Sequence, residues 1–324
     1  MKMKKEKRGK DRRSRGKRGK RDKTPIIVIS IIVAIFVFMI IIISISKDNL
    51  SRGNNVALIH IDGTILVADS QSFIPYSATY SDKVITFIED AIKNKNIKAI
   101  IFEINSPGGS AVASSEIAEA IKKVKEHNKT TVALIREQGT SGAYWVASAC
   151  DYVITHPLSI TGSIGVIASY LEISGLLESY NITYEKLTAG KYKDVMSPFR
   201  ELTQEEREMI QNKLDIIYKA FVEEVAKNRN LSEEQTRELA TGMFYLGKEA
   251  KDLRLVDFLG TKEDAINYIE KQCNITAKIK EYKKEKGLLD IFSRLQSQGS
   301  FWLGRGIGAS FIDQNLMSSL KIVT

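Results

Sequence analysis

The chain has 324 residues, enough for one large domain or two small ones with a sizeable core. Its formal charge of +9 does not indicate a nucleic-acid partner, because the excess is local. Residues 1–23 carry 14 Lys or Arg and three acids, which leaves 34 basic against 36 acidic residues in all the rest.

Residues 1–24 read as a basic cytoplasmic tail. Pro25 to Ser46 follow without a single charge. As a helix, 22 residues span roughly 33 Å, the thickness of a bilayer's hydrocarbon core. No small-x-small cleavage site follows, so the stretch reads as an uncleaved anchor rather than a removed signal peptide. The basic tail then fixes the N-terminus in the cytoplasm and the bulk of the chain outside, a single-pass cell-membrane topology. Contact of the tail with anionic lipid also fits.

Lys47 to Asn55 is a polar linker. Beyond it the spacing predicts a strand at Val56 to Ile61, a helix at Ser81 to Asn94 and a buried strand at Ile97 to Ile104. Asn105-Ser106-Pro107-Gly108-Gly109 turns into a helix from Ser110 to Glu126. A strand at Thr131 to Ile135 leads through Gly139-Thr140-Ser141-Gly142 into a short helix, Ala143 to Ala149, and a strand at Asp151 to Thr155. A glycine turn, Thr161 to Gly165, and a basic loop, Lys186 to Arg200, come next. Thr203 with Glu206, and Ser232 with Gln235, mark two helix starts as capping boxes. The alternation predicts an α/β fold on a parallel sheet. A domain over 56–286 is followed by a C-terminal tail, 287–324, which mixes Phe301-Trp302-Leu303 with Gly, Ser and Gln. Of the two cysteines, Cys150 closes an apolar helix and reads as a buried free thiol, and nothing pairs it with Cys273.

Ser141 stands at a strand-to-helix corner, where a small nucleophile is exposed beside the helix's first free N–H groups. A hydroxyl needs a base to become nucleophilic. The chain has three histidines, and of these only His156 is placed to be one. A lysine serves equally if it is neutral. Lys193 is a candidate, although composition does not separate it from Lys186 or Lys191. Without a partner, Ser141 is an ordinary helix-start serine. The two glycine corners, alone, are ordinary turns. No Cys/His cluster points to a metal, and no motif points to a cofactor.

Asn105 to Gly109, Thr140 to Tyr144, Thr161 to Gly165 and Tyr192 to Arg200 occur in that order. Together they resemble the signal peptide peptidase A family, membrane-anchored Ser/Lys serine peptidases with a Clp protease/crotonase-like fold, in its short single-anchor form. The resemblance implies Ser141 as nucleophile, Lys193 as general base, Ser163 as the hydroxyl orienting that lysine and Gly108 as a backbone oxyanion donor. Gly142 N–H is a further donor candidate on geometric grounds. The implied substrates are hydrophobic peptides, remnant signal peptides left in the membrane, and the implied assembly is a homo-oligomeric ring that encloses its sites. The apolar tail after Gly287 would suit such a chamber as a substrate-like peptide. Two other readings are a crotonase-like acyl-CoA enzyme and an inactive peptide-binding scaffold. The anchor topology and the Ser/Lys pair speak against them.

Overall fold

A computed structural model describes residues 35–39, 53–68 and 78–282. The chain divides into two compact units, Met1–Gly53 and Asn54–Thr324. In the first, residues 35–39 are helical (α1). The rest of the expected anchor, 25–46, and the C-terminal tail lie outside the described residues. Among the described residues no helix is long and apolar enough to cross a membrane.

The second unit is built on one mostly parallel sheet. Its strands are β1 (Val56–Asp62), β4 (Ala99–Ser106), β5 (Thr130–Thr140), β6 (Tyr152–Thr155), β9 (Phe258–Leu259) and β10 (Ile279–Tyr282), in the order β10-β1-β4-β5-β6-β9. β7 (Ile160–Gly162) joins the far end of β5, and β8 (Phe244–Leu246) runs antiparallel to it. A separate parallel pair joins β2 (Thr64–Leu66) to β3 (Ala78–Tyr80).

Side chains alternate across the sheet, which explains the unbroken apolar runs. Ala57, Ile59 and Ile61 face one core with Ile100, Phe102 and Ile104. Helices α2 (Ser81–Lys93), α3 (Ala111–Glu126), α4 (Gly142–Ser148) and α6 (Gln204–Arg229) cover that face through residues such as Ile88, Ile117, Tyr144 and Phe221. Val56, Leu58, Ile101 and Val132 face the other way, under Ala265 and Ile269 of α9 (Lys262–Cys273). Each such side chain, fully buried, contributes about 1.5–3 kcal/mol of transfer free energy.

Both capping boxes form. The Thr203 hydroxyl accepts the Glu206 N–H at the start of α6, and Ser232 accepts that of Gln235 at α7 (Glu233–Leu239). The predicted helix and strand positions agree to within a few residues, with one informative exception. β5 continues past Ile135 to Thr140, because β7 takes in the first two residues of the expected glycine turn, Thr161 to Gly165, and pairs with β5. Gln138, Gly139 and Thr140 pair with Ile160, Thr161 and Gly162. Short helices α5 (Ser174–Ser179) and α8 (Gly247–Asp252) complete the described unit. Cys150 is buried and Cys273 half-buried, and both are free thiols.

Candidate active site

β5 delivers Ser141 to the C-terminal end of the sheet. There the residue holds φ 52 and ψ −127. For a residue with a Cβ, such a conformation costs roughly 1–3 kcal/mol and persists only where the surroundings impose it. Two sets of bonds impose it here. The Ser141 N–H donates to the Gly162 carbonyl at 2.8 Å, and its own carbonyl accepts from Tyr144 and Trp145 at 2.9 and 3.0 Å. The Ser141 side chain takes no part in capping α4. Its hydroxyl is therefore not spent on the helix, and the residue is half-buried rather than sealed.

Gly108 presses against this corner. A Cβ on it would lie 2.7 Å from the Gly142 nitrogen, 2.8 Å from the Thr140 carbonyl oxygen and 2.9 Å from the Ser141 Cβ. Its φ of 95 is a second reason for glycine there. Gly142 is as confined, with a Cβ position 2.3 Å from the Ser114 Oγ and 3.4 Å from the Gly109 nitrogen. The structure thus brings Ser141, Gly108 and Gly142 together. The Gly108 N–H, however, donates to the Ser106 Oγ at 3.1 Å.

Ser163 follows the carbonyl that accepts from Ser141. It has φ 50, and its hydroxyl donates to the Gly242 carbonyl at 2.9 Å. That bond and the Ser163 N–H to the Met243 carbonyl fasten the corner to the entry of β8.

Lys193 lies in an exposed turn, with its N–H donating to the Gly190 carbonyl at 3.2 Å. The structure separates the three lysines of this loop, which composition leaves equivalent. Lys191 binds both Glu205 carboxylate oxygens at 2.9 Å, and the Tyr192 and Glu205 bonds push its pKa up. Lys186 pairs with Asp194 at 2.5 Å. Among the described residues the Lys193 ammonium has no ion pair. Nor does any hydrogen bond within the chain join it to Ser141 or Ser163.

The loop itself is clasped. Arg200 donates from Nε to Asp194 at 2.6 Å and from Nη2 to Glu206 at 2.7 Å. Bonds from Lys186 and then Arg200 hold the Asp194 carboxyl below its ordinary range. Arg200 and then the Thr203 N–H pull Glu206 down to about 2. One carboxylate therefore both caps α6 and anchors the segment carrying Lys193. Between Ser163 and Thr203 many apolar side chains stand in solvent, Ile167 86% and Leu187 94% exposed.

The histidines do not serve Ser141. His156 Nδ1 accepts the Leu158 N–H at 3.2 Å, His60 pairs with Glu281 at 2.5 Å, and His127 caps α3. A cavity of about 680 Å³, lined by Asp62, Glu103, Arg136, His156 and Lys262, lies away from the corner. Its two cations are both taken by Glu103, at 3.1 Å for Arg136 and 2.7 Å for Lys262. Neither cation is left free for an anionic ligand, and no residue of the Ser141 corner lines this cavity. Among the described residues no group of His, Cys, Asp and Glu is placed to hold a metal ion.

The pattern of peptidase family S49 matches residues 123–276, a span that includes Ser141, Ser163 and Lys193. MJ0651 of Methanocaldococcus jannaschii, whose name reads as a protease, is 33% identical over 83% of this chain and 86% of its own. The chain belongs to peptidase family S49. An Enterococcus faecium protein whose name reads as the signal peptide peptidase SppA is 31% identical, over 74% of this chain and 71% of its own. The chloroplastic serine protease SPPA of Arabidopsis thaliana is 30% identical, over 84% of this chain and 39% of its own. Among solved structures, a serine-to-alanine mutant of the 1510-N membrane-bound stomatin-specific protease covers 72% of this chain and 99% of its own, at a TM-score of 0.47 and 16% identity. This S49 protein is an SppA-family serine peptidase with a mixed α/β sheet fold. Sequence reasoning about it missed Ser106 and Ser114. Ser106 is nonetheless visible as the polar fourth member of the buried stripe Ile100, Phe102, Ile104.

Proposed function

We propose that the chain is a membrane-anchored endopeptidase that cleaves apolar peptides, remnant signal peptides among them, with Ser141 as nucleophile and Lys193 as general base. The observation that carries this reading is the Ser141 corner. Its hydroxyl is withheld from the helix cap, and the Gly142 nitrogen and the Gly108-Gly109 turn pack against the same corner. Preorganised donors at such a position stabilise the oxyanion of a tetrahedral intermediate.

In this mechanism a neutral Lys193 takes the Ser141 proton as the hydroxyl attacks the peptide carbonyl. The acyl-enzyme forms as the C–N bond breaks, and the lysine passes its proton to the leaving amine. It then takes a proton from water for deacylation. Ser163 would orient the lysine after exchanging its bond to Gly242. No cofactor enters any step. Membership of a peptidase family sets the acyl-CoA alternative aside.

Lys193 and Ser141 are not bonded within one chain, and the segment carrying Lys193 exposes Ile167, Leu171, Leu176 and Leu187. Exposed apolar surface of this extent favours a partner. A homo-oligomer in which this segment docks on a neighbour would cover it and complete the site. The test is cleavage of an apolar peptide by the full chain in detergent. Ser141→Ala and Lys193→Ala should each lower kcat by about 10³-fold or more. Mixing the two inactive variants should restore part of the activity if neighbours share sites. Full activity in either single variant overturns the dyad.

A further inference from the structure

Ser106 occupies the core-facing position that ends the stripe Ile100, Phe102, Ile104, and it is fully buried. An alanine would fill the same space. A serine there must find a partner for its oxygen, and it finds the Gly108 N–H two residues on, at 3.1 Å. That bond turns the Gly108 N–H into the protein, away from any substrate.

The next residue is held differently. The Ile65 N–H donates to the Gly108 carbonyl at 2.9 Å, and the Ser110 N–H donates to the Ile65 carbonyl at 2.8 Å. Gly109 thus forms a parallel bridge with Ile65 in which its own N–H and carbonyl point to the opposite side. That is the side of Gly142, since the Gly109 nitrogen lies 3.4 Å from the Gly142 Cβ position. Gly108 is buried and Gly109 is exposed.

We infer that Ser106 is a positioning residue that fixes the Pro107-Gly108 peptide, so that the Gly109 N–H, with that of Gly142, forms the donor pair beside Ser141. The inference rests on Ser141 being the nucleophile and refines which amide of the glycine corner serves it. Without the Ser106 oxygen the Gly108 peptide is free to rotate, and the donor pair loses its fixed geometry.

The experiment compares the full chain with Ser106→Ala and Ser106→Thr on an apolar chromogenic peptide. It also compares binding of a peptide aldehyde, which forms an oxyanion-bearing adduct with serine, with binding of the matching peptide alcohol, which does not. Ser106→Ala should lower kcat by about 10²-fold, the cost of a misplaced oxyanion donor, and weaken the aldehyde by a similar factor. KM and alcohol binding should stay within about twofold, and Ser106→Thr should recover most of the loss. A kcat within threefold of the parent overturns the inference, and so does a loss shared equally by aldehyde and alcohol. Should the alanine variant not fold, Ser106→Cys keeps the volume while weakening the acceptor, and it is judged by the same pattern. Activity surviving in Ser141→Ala would instead sink the nucleophile assignment, whatever the Ser106 variants show.

Discussion

The Ser114 hydroxyl oxygen lies 2.3 Å from where a Cβ on Gly142 would stand. Ser114 is fully buried on α3, with no hydrogen-bond partner among the described residues. The contact sets how closely α3 approaches α4, and hence where the Ser141 corner sits. Gly142→Ala should cost about 1–3 kcal/mol through overpacking and lower peptidase activity. Adding Ser114→Gly should recover part of both losses. Thermal unfolding and kcat of the four proteins in this cycle check the coupling, and additive effects would contradict it.

Acid should loosen the Lys193 segment before it unfolds the sheet. Glu206 titrates at about 2 because Arg200 and the Thr203 N–H bind its charged form, against an ordinary 4.5. A depressed carboxylate contributes stability that is fully present above its unfolded pKa and is lost as pH falls through its folded one. The contribution should therefore persist above pH 4.5 and disappear toward pH 2. Limited proteolysis between Lys186 and Arg200 should accelerate across that window, while Glu206→Gln should cut readily already at neutral pH. Equal protection of the parent at pH 7 and pH 3 would contradict this.

Phe221 ties α6 to the helix behind the nucleophile candidate. Its ring stacks on Trp145 with centroids 4.6 Å apart and planes 9° from parallel. Phe221→Ala should destabilise the peptidase unit by about 3–5 kcal/mol, the usual cost of removing a buried aromatic ring. Denaturant unfolding followed by tryptophan fluorescence reads both the loss of stability and the altered surroundings of Trp145.

The Cys150 thiol should be inert in the native protein. Burial, and then the neighbouring Asp151, push its pKa well above the ordinary thiol value. A thiol reagent at pH 8 should therefore leave Cys150 unmodified until the chain unfolds. Native labelling of Cys150 at the rate of a free thiol would contradict its placement.

What the sequence made legible was what periodicity and local bonding carry. The apolar alternation of Ala57, Ile59 and Ile61 against Val56 and Leu58 reads directly as a sheet buried on both faces. The capping boxes at Thr203 and Ser232 need only four residues each. The corner at Ser141 was visible because glycine and serine punctuate a strand-to-helix change. Pairings across long separations were not. β10 joins β1 through residues more than 200 positions apart, and strands as short as β7 and β8 show no periodicity. The lysines of the 186–193 loop became distinguishable only when Asp194 and Glu205 were seen to occupy two of them. Ser114 escaped because a buried hydroxyl looks, in one dimension, like any other serine, and Ser106 left only the hint of a polar residue ending an apolar stripe.

The edge formed by β1 and β10 has a direction. The strands are parallel, so β1 runs from Val56 and β10 runs the same way to Tyr282, which lies level with Ile59, Phe102 and Ala133. The end toward which these strands run is where β5 hands over to Ser141. A reporter or affinity handle fused directly after Tyr282 would therefore start on the edge strand, headed toward the reactive end of the sheet. In making a truncated version of the enzyme, the end chosen for such a fusion decides how much of the approach to Ser141 stays open.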